Sequence, residues 1–184
     1  MSSSESDFIF KISVIGNGAV GKTSLIQRYT QATFQMGYIK TIGAQFSTYQ
    51  EQLNGLICKI TLWDIAGQRD HYFLRPAFYK GSSAAIIVCS LEDSDHGKES
   101  IKQIPNWHKD IAKYCGDLPI MLFGNKVDLI DESKIEVDKL EKLVKKEKLL
   151  GFLKTSAKDG QGVIEGFRGI IKYLMENDEM VDVW

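Results

Sequence analysis

The residues best equipped for chemistry are Gly16-Asn17-Gly18-Ala19-Val20-Gly21-Lys22-Thr23. They follow an apolar run, Phe8 to Ile15, that reads as a strand, and they precede a helical pattern beginning Ser24-Leu25-Ile26. Strand, then G-x-x-x-x-G-K-[ST], then helix is the setting of a phosphate-binding loop. Glycines let the backbone wrap a polyphosphate with its N–H groups pointing inward, where a Cβ would obstruct. Lys22 is then expected to reach the β- and γ-phosphates, Thr23 to offer its hydroxyl to Mg²⁺, and Ser24 to belong to the same phosphate-binding set. The helix N-terminus adds partial positive charge. A nucleotide is the expected ligand.

Three further polar clusters are Asp64, Asn125-Lys126-Val127-Asp128 and Thr155-Ser156-Ala157-Lys158. Each is weak alone. Their value depends on the elements that carry them. The spacing predicts a helix from Lys22 to about Gln31, with Leu25, Ile26 and Tyr29 inward. Thr33 to Ile42 lacks a period and reads as a loop. Ala44–Leu53 and Leu56–Asp64 flank Asn54-Gly55, which suits a type I′ hairpin. Ala66 to Pro76 reads as a second loop, and Ser83–Cys89 as a strand buried on both faces. Ile101, Ile104, Trp107 and Ile111 fall at helical spacing, with Pro105 implying a kink or a later start. Leu118–Phe123 is a further strand, Asp138–Leu149 an amphipathic helix, Gly151–Thr155 a last strand, and Val163 to about Met175 a closing helix. All four clusters therefore end strands, where ligands gather in open α/β sheets.

The chain has 184 residues, 43% apolar and 26% charged, with a net charge of −1, values that suit one globular domain. Such a balance gives no broad attraction to nucleic acid or anionic lipid. Cys58, Cys89 and Cys115 sit in or beside apolar runs and read as buried thiols in a reducing compartment. No run approaches a membrane span. A cytoplasmic monomer is expected, with residues 1–7 a disordered lead-in, 8–175 the domain and 176–184 an acidic tail.

Taken together, these motifs resemble the Ras superfamily of small GTPases, and within it the Rab family most. The resemblance runs from about Phe8 to Met175 and includes Tyr38-Ile39-Lys40-Thr41-Ile42-Gly43 and Trp63-Asp64-Ile65-Ala66-Gly67-Gln68. It implies a P-loop G domain: a six-stranded, mostly parallel sheet with one antiparallel strand and helices on both faces. It also implies GTP and GDP as ligands and Mg²⁺ as cofactor. By resemblance, Thr23 and Thr41 ligate the metal, Asp64 holds a metal-bound water, and Thr41 senses the γ-phosphate. Gln68 orients the attacking water, with the Gly67 amide on the γ-phosphate and Lys22 completing the catalytic set. For the base, the Asp128 carboxylate accepts from N1–H and N2–H₂ of guanine, a donor pair adenine lacks. Asn125 serves the purine's other face or ties the loops together, and the Lys126 stem packs over the ring. The Ala157 amide meets O6, Ser156 and Lys158 belong to the same base-binding set, and Phe34 packs on the base edge. Tyr38, Ile42, Phe46, Trp63 and Phe78 are the expected effector surface.

Departures from the family pattern limit what carries over. Arg69-Asp70-His71 stand where Rab proteins read Glu-Arg-Phe, so partner recognition through this loop is not transferred. Arg69 and Arg75 are expected to be solvated or partner-facing rather than internal arginine fingers, so a GTPase-activating partner is expected. His71, His96 and His108 carry no ligand spacing and read as surface residues. The final segment has no cysteine, so this chain as written has no prenylation site, and peripheral membrane attachment would need a lipidated extension that has been removed. The resulting reading is a GTP-hydrolysing switch with an exchange factor, a GTPase-activating protein and effectors as partners. The competing one is a GTP-binding interaction protein with negligible hydrolysis.

Overall fold

The computed structural model describes residues 6–32, 43–67 and 74–178. Six strands form one sheet: β1 (Phe8–Ile15), β2 (Ala44–Leu53), β3 (Leu56–Ile65), β4 (Ala84–Ser90), β5 (Ile120–Asn125) and β6 (Gly151–Lys154), in spatial order β2-β3-β1-β4-β5-β6. All neighbours pair in parallel except β2 with β3. That hairpin turns at Asn54 and Gly55, whose φ values of 53° and 83° are the two left-handed residues a type I′ turn demands.

The central strands are buried on both faces, so their residues alternate between two cores. Ala84, Ile86 and Val88 face the first, and Ala85, Ile87 and Cys89 the second. Helices α1 (Lys22–Gln31) and α6 (Val163–Glu176) cover the first face. There Phe167 stacks on Tyr29 with centroids 4.4 Å apart and meets Phe123 edge-on at 5.5 Å. Truncating such a ring costs about 3–5 kcal/mol. The buried carboxylate of Glu51 on β2 accepts from the Tyr29 hydroxyl and from Arg168 Nε (2.5 Å), tying the edge strand to both helices.

Helices α2 (Arg75–Tyr79), α3 (Asp95–Lys102), α4 (Ile104–Cys115) and α5 (Val137–Lys146) supply the second face. The Ile101-to-Ile111 pattern thus divides between two helices that break at Gln103, with Pro105 in the first turn of α4, where its missing N–H costs nothing. The first of them, α3, starts earlier than the apolar pattern suggests because the Ser94 hydroxyl accepts from the Gly97 amide as an N-cap (3.0 Å). Helix α5 stops at Lys146, three residues short of the expected Leu149. Lys148 adopts φ 54°, its amide bonds the Lys145 carbonyl, and the Leu149 amide returns to that of Val144. This is a Schellman closure without the usual glycine, and it folds Leu149 back into the core.

Candidate functional site

The turn from β1 into α1 carries the phosphate-loop residues. Lys22, almost fully buried, donates from Nζ to the carbonyls of Gly16 (2.9 Å) and Asn17 (2.8 Å). An ammonium has three protons, so a third is left to meet a ligand anion. Burial pushes the Lys22 pKa down to about 8, the Asp64 carboxylate opposes this, and the Arg75 charge adds to it. An electrostatically starved ammonium of this kind gains strongly from an arriving phosphate. Gly67 follows β3 and lies flat against the loop. A Cβ there would stand 2.3 Å from the Gly16 carbonyl oxygen and 2.4 Å from the Gly18 nitrogen.

Thr23, on the first turn of α1, donates its hydroxyl to a carboxylate oxygen of Asp64, which is buried near the end of β3. A hydroxyl and a carboxylate side by side form an all-oxygen donor set, the type that suits Mg²⁺ rather than a softer metal.

On the other side of the loop, Asn125 at the end of β5 is buried and uses both the nitrogen and the oxygen of its amide. Its Nδ2 donates to the Val20 carbonyl (2.8 Å), and its Oδ1 accepts from the Ala157 amide (3.2 Å) and the Thr155 hydroxyl (3.3 Å). Of the two expectations for Asn125, the geometry is that of a residue tying loops together. The approach depends on Gly21, at φ 99°, where a Cβ would sit 2.3 Å from Nδ2. The Ala157 amide, expected at the purine O6, is directed at Asn125 here. Beyond it, the Ser156 hydroxyl donates to Asp128 Oδ1 (2.8 Å), and Lys158 Nζ lies 3.9 Å from Oδ2. Arg28, from α1, donates to the carbonyls of Ala157 (2.7 Å) and Lys158. Lys126, at φ 67°, extends its ammonium to Glu92 (3.2 Å).

Phe46, Trp63 and Phe78 form a row, with centroid separations of 5.6 and 5.9 Å along it. Lys11 Nζ lies 4.3 Å from the Trp63 ring, and Phe46 is 66% exposed, a large apolar surface left to water. Phe34, Tyr38, Thr41, Ile42 and Gln68 lie outside the described residues, as do Arg69-Asp70-His71, residues 1–5 and residues 179–184.

Two expectations need correction. Arg75 is neither solvated nor partner-facing: it is buried, paired with Asp110 (3.3 Å) and stacked 4.2 Å over Trp107. His108 is half-buried against Glu147 (2.9 Å), because α4 packs beside the turn after α5. Sequence reading also missed Trp107 as a site residue. Its indole N–H donates to Asn17 Oδ1 at 2.7 Å. Only the general need of a buried tryptophan N–H for a partner hints at it.

Among the described residues, no helix is long and apolar enough to cross a membrane. Residues 11–176 match the Ras family model. The GTP-binding protein YPT1 of Saccharomyces cerevisiae is 34% identical over 175 residues, 95% of this chain and 82% of that protein. The human Ras-related protein Rab-21 is 32% identical over 174 residues, 94% of this chain and 75% of the relative. The human Ras-related protein Rab-30 is 34% identical over 164 residues, 89% and 78% respectively. With the phosphate loop, Asp64 and the Asn125–Asp128 turn gathered at the carboxyl ends of β1, β3 and β5, the chain belongs to the Ras family as a divergent, Rab-like small GTPase.

Proposed function

We propose that this protein binds GTP and GDP with Mg²⁺, hydrolyses GTP slowly, and works as a Rab-like switch in membrane trafficking. The observation that carries the reading is Asn125, one buried amide that bonds the phosphate loop at Val20 and the Ala157 loop together. It fixes the distance between a phosphate cradle and the neighbouring Asp128 carboxylate, as recognition of one nucleotide by both ends requires.

In this reading Lys22 and the loop amides hold the β- and γ-phosphates. Thr23 and Thr41 would ligate the metal, and Asp64, which accepts from the Thr23 hydroxyl in this structure, would hold a water beside it. When bound, Mg²⁺ supplies positive charge to the phosphate oxygens. Gln68 orients water for attack, and the Gly67 amide steadies the terminal phosphate. Asp128 selects guanine, with Ser156 and Lys158 holding the carboxylate in place and Phe34 against the base. In the superfamily at large a partner's arginine is worth roughly 10³–10⁵ in rate, and Gly18 leaves room for one. Effectors dock on Tyr38, Ile42, Phe46, Trp63 and Phe78 when GTP orders the loops around them. The working form is a monomer acting in the cytoplasm or at a membrane surface, served by an exchange factor and a GTPase-activating protein.

Single-turnover hydrolysis and base exchange test this together. GTP loaded with Mg²⁺ should convert slowly to GDP, and Gln68→Leu should largely abolish the conversion. Asp128→Asn presents a donor as well as an acceptor, so it should exchange guanine for xanthine, whose C2 carries oxygen in place of the amino group. Tight GTP binding with no hydrolysis in either Gln68 protein would favour a GTP-binding interaction protein. Adenine nucleotide alone in the purified protein would defeat both readings.

A further inference from the structure

His96 stands on the first turn of α3, and both of its ring nitrogens face acceptors. Nε2 lies 2.8 Å from the carbonyl oxygen of Gly18 in the phosphate loop, and Nδ1 lies 3.0 Å from Glu92 Oε1. A neutral imidazole carries one proton and can satisfy only one of these; the imidazolium donates to both. The other oxygen of Glu92 accepts from Lys126, which stands between Asn125 and Asp128. One chain of contacts therefore runs from the phosphate loop to the base loop: Gly18, His96, Glu92, Lys126.

We propose that doubly protonated His96 is a positioning residue for the nucleotide's phosphates, holding the Gly18 carbonyl outward and so turning the Ala19 amide into the phosphate cradle. The geometric reason is the trans peptide: the C=O of Gly18 and the N–H of Ala19 belong to one plane and point in opposite directions. Ala19 adopts φ 59°, an uncommon conformation for a residue with a side chain, so the loop gains from an external anchor at this peptide. Burial alone would raise the Glu92 carboxyl, but its bonds to His96 and Lys126 hold it below its ordinary range, keeping a charged acceptor beside the ring. The inference rests on the phosphate-binding reading of the loop.

The charged groups around His96 come from several elements. Glu92 precedes it, Asp93 and Lys98 pair beside it, and Asp95 and Glu99 share its helix. Lys126 reaches in from the base loop, and Arg75, Lys109, Asp110 and Lys113 line the groove that His96 borders. Among these, only Glu92 is hydrogen-bonded to the ring.

Two measurements on the full chain test this. Release of a fluorescent GDP is followed across about pH 5 to 8 for the native protein and for His96→Gln, His96→Ala, Glu92→Gln and His108→Gln. Losing one charge-assisted bond should speed release about three- to tenfold as pH rises in the native protein and in His108→Gln. His96→Gln and His96→Ala should be fast and flat, and Glu92→Gln should lose most of the pH response. In parallel, ¹⁵N NMR of the His96 ring should show both nitrogens protonated at the low end, with the Ala19 amide shift following the same titration. That second readout holds even if the nucleotide proves not to be guanine. A His96→Ala protein with native rates and native pH response, or an Ala19 amide indifferent to the His96 titration, would overturn the proposal.

Discussion

The indole N–H of Trp107 donates to the side-chain carbonyl of Asn17 across 2.7 Å, linking the second-face helix α4 to the phosphate loop. The same indole carries the Arg75 guanidinium 4.2 Å from its ring, and Arg75 and Tyr79 both bond Asp110. A tryptophan in the middle of a helix thus joins the loop to α2, which follows the Gly67 segment. Trp107→Phe keeps the apolar body and removes the donor. It should cost about 1–2 kcal/mol of stability in denaturant unfolding, from the lost bond and a stranded amide oxygen. Asn17→Ala removes the other partner, so the double variant should cost less than the two single costs added together. Strict additivity would mean that the bond contributes nothing.

Gly67 should tolerate no side chain. Its Cβ would overlap the backbone of residues 16 to 18 by more than an ångström relative to ordinary contact, and backbone cannot swing aside. Gly67→Ala must therefore lift the segment off the phosphate loop. Under the proposed function the Gly67 amide meets the γ-phosphate, so the single-turnover hydrolysis rate should fall about tenfold or more, equivalent to at least ~1.4 kcal/mol. GDP affinity, which does not use that amide, should change far less. Equal losses in both would place Gly67 in general loop integrity.

Asn125 joins two loops with a single amide, so its removal should loosen the nucleotide rather than unfold the domain. Asn125→Ala leaves the Val20 carbonyl and the Ala157 amide short of a buried partner, at about 1–3 kcal/mol for each group. GDP release should speed up by about thirtyfold or more on that basis, with little change in the association rate. A stopped-flow trace in which association slowed instead would indicate that Asn125 shapes the entry of nucleotide rather than its retention.

Much of the fold was legible because strand and helix periods are local properties. The strands Phe8–Ile15 and Ala44–Leu53 and the Asn54-Gly55 turn follow from residues within a few positions of each other. Errors arose where one contact outweighed the local pattern. The Schellman closure at Lys148 lacks its customary glycine, and Gln103 separates two helices whose apolar stripes run on in one phase. At the site, the clusters could be located because each ends a strand, but their partners could not. Arg75, Trp107 and Asp110 are separated by 32 and 3 positions in the chain, and only the packing of α2 on α4 brings them together. His96 escaped for a related reason: its importance lies in a backbone carbonyl, which has no signature in sequence.

The last expectation concerns pH and Lys22. In the protein without nucleotide, burial brings this lysine to about 8 from its ordinary 10.5. Between those values the unfolded chain still holds the proton and the folded chain has released it. Stability of the nucleotide-free fold should therefore rise with pH across that window. Nucleotide binding has the opposite sign, because a polyphosphate favours the ammonium and draws a proton back. Affinity should be full below about pH 8 and should fall above it, by up to tenfold per unit while Lys22 alone titrates. Calorimetry of GDP binding at pH 7 and pH 9, in buffers of different ionisation enthalpy, should show proton uptake only at the higher pH. Lys22→Arg, which stays protonated throughout, should show no such uptake whatever its affinity. Titration of the base itself is common to both proteins and drops out of the comparison. Equal uptake in the two would remove Lys22 as the source and return the pH dependence to the ligand.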